Sequence, residues 1–326
     1  MIPIVLFTYN RVDTLQRVLD AIWAQTKLPG KLIVFSDEAR NPIDEGVSKV
    51  RKILHSIDWL DTEIVERTKN FGCAPNIIDG LTTVFKNHSQ AVILEDDILP
   101  AHHFYESMIL MLEHYSADKQ VFAVGGYPSV SRTIADYPYD VIMSPRFSCW
   151  GWGTWAERWN RIAGDLEKRR LPYAAPEEIP SHAGADLPAS ILLVKNRPDF
   201  YWDYPIALHC LRNYWFHAVT NFYLTNNIGL TSGDHGAARP ESILYMQKNS
   251  PIEEKVPRKF SEPKADPRVD SAIRVYLSAA NQSGNPLKDI YHAVHQIPKW
   301  IGWKVKKMMN KAYFFIKRHI TGNRPG

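Results

Sequence analysis

The chain reads as an α/β protein built on a mainly parallel sheet with helices on both faces. Two observations predict this. Over the first hundred residues, apolar runs of strand length alternate with amphipathic helical patterns. Polar side chains then fall at the carboxyl end of successive runs, where open parallel sheets bind their ligands. Beyond about Pro128 the alternation gives way to irregular segments rich in Pro, Gly and aromatics.

Taken in order, Ile2 to Thr8 reads as a buried strand, followed by a helix capped at Asp13-Thr14 with Leu15, Val18, Leu19, Ile22 and Trp23 on one face. Pro29-Gly30 ends it. Leu32 to Phe35 forms the second strand and delivers Ser36 and Asp37 at its end. A helix through Val47, Val50, Ile53 and Leu54 leads to a third strand, Glu63 to Glu66. Pro75 opens the next helix, and Ala91 to Leu94 is the fourth strand. Four units are expected: 1–127 as the ligand-binding half of the main domain, 128–245 as the other half, 246–285 as a linker and 286–326 as a basic tail.

Composition narrows the class. With 45% hydrophobic and 23% charged residues, the 326-residue chain has ordinary globular content. Its three cysteines, Cys73, Cys149 and Cys210, form no CxxC pair, which speaks against a disulfide framework or a zinc site. The start, Met1 to Phe7, lacks the basic segment of a signal peptide, and no apolar run approaches the ~18 residues of a membrane span. The expected location is the cytoplasm. Residues 286–326 hold nine Lys and Arg against one Asp, so a body of net charge −4 carries a tail of +8.

The chemistry starts at Glu95-Asp96-Asp97, three carboxylates in a row after the buried run Ala91 to Leu94. Like charges at the end of a buried strand call for a cation, and Mg²⁺ or Mn²⁺ shared with a diphosphate would serve. A solvated acidic turn is the plain alternative. Arg11, after Thr8-Tyr9-Asn10, would pair with a nucleotide, and Asp37 would accept from the N3–H of uracil or thymine. Asn70-Phe71-Gly72 would let the backbone approach a ligand closely. Singly, each reads more readily as a turn residue, loop punctuation or a surface charge. Their shared position at strand ends is what unites them.

These residues resemble the glycosyltransferase A (GT-A) fold, in particular its family 2-like inverting enzymes. Thr8-Tyr9-Asn10-Arg11 is similar to their first nucleotide loop, Asp37 to their base-reading aspartate and Glu95-Asp96-Asp97 to their DxD-type motif, in the form found in N-acetylglucosaminyltransferase I. Phe147 to Trp155 resembles a Ser-Trp-Gly-Trp-x-Thr-Trp stretch of bacterial polysaccharide transferases, as does the stretch from Trp202 to His235. The resemblance covers residues 1 to about 240. It implies a metal-dependent, inverting transfer of sugar from a nucleotide-diphosphate donor, UDP-sugar first, to a glycan or lipid-linked saccharide. Asp97 and His235 would bind the metal; Glu95 and Asp96 would contact sugar and ribose. Leu230 and Gly236 depart from the family pattern around His235.

An inverting transfer needs one carboxylate to take the acceptor proton. Asp203, between Trp202 and Tyr204, is the candidate, with Glu157 as the alternative; a helix cap before Pro205 is the plain reading of Asp203. Trp150, Trp152, Trp155 and Trp202 offer stacking surfaces for acceptor sugars, though their spacing sends at least one into the core. From Ile297 to Ile320, helical spacing gathers apolar residues on one side and seven Lys and Arg on the other. That pattern suits docking on the anionic inner face of the cell membrane, with packing on the body, calmodulin or nucleic acid as other readings; no nucleic-acid partner is expected. A nucleotidyltransferase and a non-catalytic, membrane-docked binding protein are the rival functions.

Overall fold

The computed structural model describes residues 1–130, 134–180, 184, 187–229 and 252–281. In chain order the strands are β1 (Ile4–Thr8), β2 (Leu32–Ser36), β3 (Thr62–Glu66), β4 (Gln90–Glu95), β5 (Ile98–Pro100), β6 (Val121–Gly125), β7 (Val141–Ser144), β8 (Trp152–Trp155), β9 (Phe216–Thr220) and β10 (Thr225–Asn227). The helices are α1 (Val12–Trp23), α2 (Gly46–His55), α3 (Cys73–Val84), α4 (Phe104–His114), α5 (Ala156–Asn160), α6 (Ala163–Glu167), α7 (Leu187–Asn196), α8 (Asp203–Arg212) and α9 (Pro267–Asn281).

Continuous apolar runs make β1 and β2, and every residue of both is buried. Strands covered on two faces need apolar side chains on each, so they lack alternation. Ile4 and Leu6 face the core under α1, α2 and α4, whereas Val5 and Phe7 face a second core under α3 and α5 to α8. The sheet order is β3-β2-β1-β4-β8-β6-β9-β7. The first four strands are parallel, as predicted, with β3 half-exposed at the edge. The chain folds outward from β1 in one direction and returns to β4 on its other side. The switch point therefore lies between β1 and β4.

The second half departs from expectation. The segments read as an irregular aromatic lobe contribute β7, β8 and β9 to the same sheet, where with β6 they form antiparallel β4–β8, β8–β6 and β7–β9 pairs and a parallel β6–β9 pair. Four- and five-residue strands separated by turns leave little periodicity to read. The expected linker 246–285 also carries packed structure. Val269 and Ile273 of α9 are fully buried against Val130, Ile142 and Val219, and the Lys259 carbonyl accepts the Asp140 and Val141 N–H groups. The Pro- and charge-rich composition concealed an apolar stripe of one helix face.

At the N-terminus of α1, Arg11 rather than Asp13-Thr14 occupies the capping position. Among the described residues no helix is long and apolar enough to cross a membrane. The basic tail 286–326 lies outside the described residues.

Candidate functional site

A cavity of about 790 Å³ opens at the carboxyl ends of β1, β2 and β4. Its size is that of a small-molecule site. Register sets its floor. Phe7 pairs with Glu95 across β1 and β4, so the chain beyond Thr8 runs beside the acidic triplet. The Tyr9 N–H donates to one oxygen of Asp96 at 3.0 Å, and the Arg11 guanidinium bridges Asp96 at 2.5 Å and Asp97 at 2.6 Å. Both aspartates are buried and Arg11 is a quarter exposed. Thr8 lines the same floor; its hydroxyl is buried and lacks a hydrogen-bond partner among the described residues.

Three clustered carboxylates disturb one another's ionisation. Burial pushes the Asp96 carboxyl up to about 6, with Arg11 pulling it down and Asp97 raising it. Glu95 is held well above the carboxylate range by burial, then by the charges of Asp97, Asp96 and Asp203, with Arg11 opposing. Burial alone would lower the Arg11 guanidinium, but Asp96, Asp97 and Glu95 raise it.

Loop geometry shapes the wall of the cavity at the end of β2. Asp37 at the end of β2 accepts from the N–H groups of Glu38 (2.9 Å), Phe71 (2.8 Å) and Gly72 (2.9 Å), and from the Asn70 amide at 3.2 Å. Both its oxygens are engaged in holding loop 70–72, a role that sequence reasoning did not assign. Burial raises the Asp37 carboxyl against the lowering pull of those N–H groups and of Arg67. Gly72 caps α3 at φ +82°, where a side chain would be strained. Asn10 donates to Asp44 at 2.7 Å.

On the opposite wall, Asp203 is the first residue of α8 and Trp202 takes the capping position without a side-chain bond. Asp203, Trp202 and Trp150 line the cavity. Two predicted acceptor residues do not: Trp152 is fully buried in one core and Trp155 is 5% exposed in the other. Being three apart on β8, they point to opposite faces of the sheet. Glu157, the alternative base, follows β8 outside the cavity and pairs with Lys119 and Arg161 at the surface. His235 lies outside the described residues. The sequence did not single out Arg40, Asp44, Arg197, Asp199 or Cys73 as lining residues; Arg40, three residues beyond Asp37, was the nearest to a visible signal.

Gly229 closes the floor. Its predecessor, Ile228, donates its N–H to the Asp97 carbonyl at 2.8 Å. A Cβ at Gly229 would meet Asp97 Oδ2 and lie 2.8 Å from the Arg11 guanidinium. Among the described residues no three His, Cys, Asp or Glu side chains converge on one point. Hard oxygen donors are nonetheless present in Asp97 and Glu95. An ion that takes one or two carboxylates and completes its shell with diphosphate oxygens and water fits this set.

Residues 4–188 match the model of the family described as "Glycosyl transferase family 2", more than half of the 326 residues. The chain belongs to this family. No curated protein matches it. Among solved structures it is similar to the mannosyltransferase PcManGT from Pyrobaculum calidifontis in complex with GDP-Man and Mn²⁺, at 15% identity over 97% of this chain and 80% of that one, TM-score 0.38. It is also similar to S. aureus TarS 1-349, alone (11% identity, 78% and 67% covered, TM-score 0.39) and in complex with UDP-GlcNAc (11%, 78% and 68%, TM-score 0.41). The family 2 assignment makes this chain a glycosyltransferase with the mixed α/β sheet described above.

Proposed function

We propose that this family 2 enzyme transfers a sugar, with inversion, from a nucleoside diphosphate donor to a hydroxyl of a saccharide acceptor. The observation that carries the proposal is the charge of the cavity. Seven carboxylate side chains line it (Asp37, Asp44, Glu95, Asp96, Asp97, Asp199 and Asp203) against three guanidinium groups, Arg11, Arg40 and Arg197. A diphosphate enters such a site with an added cation. Asp97 with Glu95 would hold Mg²⁺ or Mn²⁺ there, and the bound ion would supply Lewis-acid stabilisation of the departing diphosphate.

The remaining roles belong to the chain itself. Arg11 keeps Asp96 and Asp97 in place. Loop 70–72, fixed by Asp37, receives the nucleoside, with a UDP-sugar as the first donor to test. Asp203 takes the proton of the acceptor hydroxyl as that oxygen attacks the anomeric carbon from the side opposite the diphosphate. Trp150 and Trp202 flank the acceptor. The Glu-Asp-Asp form of the motif supports a relation to N-acetylglucosaminyltransferase I-like enzymes, and the Phe147 to Trp155 stretch supports a place in bacterial polysaccharide synthesis. The amphipathic pattern of 286–326 supports peripheral docking on an anionic membrane.

Asp203→Asn tests the reading. The variant keeps donor affinity in Mn²⁺ by calorimetry and loses roughly 10²–10⁴-fold in transfer, the usual contribution of a positioned base. Retained turnover moves the base elsewhere.

A further inference from the structure

Trp150 lines the main cavity with a half-buried ring that also packs on a buried tyrosine cluster. Its backbone is pinned. The Thr225 hydroxyl donates to the Trp150 carbonyl at 2.6 Å, and the Gly126 N–H donates to the Gly151 carbonyl at 3.0 Å. The tilt of the indole is left to its neighbours. Tyr127 meets it edge-on, with ring centroids 4.5 Å apart at 65°. Tyr127 is itself buried and packs on Tyr223, centroids 5.2 Å apart. Its hydroxyl shares a hydrogen bond of 2.6 Å with the hydroxyl of Tyr276.

Tyr276 belongs to α9, which lies beyond residues 4–188 of the family match. Val269, Ile273 and Tyr276 follow at spacings of four and three, so they share one face of the helix, and all three are buried. That face seats α9 on Val130, Ile142 and Val219 and brings Tyr276 to Tyr127.

We infer that Tyr276 is a positioning residue for the acceptor wall: through the Tyr127 hydroxyl it sets the orientation of the Trp150 ring in the cavity. The inference rests on the proposed placing of Trp150 beside the acceptor and adds the residue that holds it there. A hydrogen bond fixes direction, whereas ring packing by itself lets a side chain tilt or slide. With the main chain at 150–151 tied to Thr225 and Gly126, a displacement of Tyr127 is taken up by the indole. The hydrogen bonds of Asp37, Asp96 and Asp97 described above involve none of these tyrosines, so the donor side is independent of the relay.

The test uses the full chain labelled with 5-fluorotryptophan and read by fluorine NMR, the Trp150 line being assigned by its loss in Trp150→Phe. Tyr276→Phe keeps the ring and removes the hydroxyl. The Trp150 line should shift or split, while those of Trp23 and Trp59, which pack on each other at the end of α1, stay in place. Tyr127→Phe removes the other hydroxyl and carries the same test should the first variant fail to fold; in the double variant the line should move no further than in Tyr127→Phe. Calorimetry with UDP, GDP and dTDP in Mn²⁺ should give the same dissociation constants for Tyr276→Phe and the unmodified enzyme. A lowered urea midpoint with an unmoved Trp150 line means that Tyr276 serves stability alone, and overturns the inference. A further shift in the double variant or a weakened nucleotide affinity in Tyr276→Phe overturns it too. Absence of all nucleotide binding in the unmodified enzyme refutes the proposed function instead, because the fluorine lines are read without nucleotide.

Discussion

Acidification should weaken this enzyme through one buried imidazole. His217 on β9 is 1% exposed, stacks on Phe147 with ring centroids 5.2 Å apart, and accepts the Ser148 N–H through Nδ1 at 3.0 Å. With Nδ1 accepting, the neutral ring carries its proton on Nε2. A Cβ on Gly125 would lie 2.5 Å from that nitrogen, so glycine is what admits the ring. Burial pushes His217 from 6.5 down to about 4, against a smaller raising pull from Val124, a change worth about 3 kcal/mol. As pH falls from 6.5 towards 4, the unfolded chain takes up a proton that the native protein refuses. The unfolded state then binds more protons, so stability declines with falling pH across that window. Protonation of Nδ1 would also set two donors against each other at Ser148, whose neighbours Cys149 and Trp150 line the cavity.

The control is His217→Gln, whose side-chain oxygen can still accept the Ser148 N–H and does not titrate. Urea unfolding at about pH 7.5 and about pH 4 gives the comparison; the original protein should lose about 3 kcal/mol more than the variant. Carboxylates titrate in both proteins and cancel in the difference. Parallel pH dependences of the two would refute the buried neutral imidazole.

Other perturbations separate the parts of the site. Gly229→Ala brings a methyl group against Asp97 and Arg11; donor affinity in Mn²⁺ should fall roughly tenfold, about 1.4 kcal/mol by calorimetry. Trp152→Ala empties a fully buried site on β8 and should cost about 3–5 kcal/mol of stability in denaturant titration, whereas Trp150→Ala, at a half-buried ring packed on Tyr127, should cost less stability and raise the acceptor KM. Deleting residues from His295 onward should release the enzyme from anionic vesicles in co-sedimentation while sparing transfer to soluble acceptors.

The sequence disclosed position better than partnership. Residues such as Ile4 to Phe7 and Ala91 to Leu94 announce strands buried on both faces, because both cores demand apolar side chains. Their carboxyl ends then locate Thr8 to Arg11, Asp37 and Glu95 to Asp97 by topology alone. Later strands were hidden. Trp152-Gly153-Thr154-Trp155 looks like an aromatic loop until its pairing with β4 and β6 is known, and that pairing sends each indole into a different core. Glu157 lies outside the cavity for a related reason, since helix α5, which follows β8 directly, carries it to the surface. What no local pattern could disclose is which charges meet. Arg11 and Asp97 are 86 positions apart, and their contact follows from the β1–β4 register that sets Phe7 opposite Glu95. A one-residue slip in that register would turn every β1 side chain to the other face. The acidic floor of this glycosyltransferase is thus fixed by the packing of Ile4, Leu6, Val92 and Leu94 beneath it, and the chemistry inherits its geometry from the core.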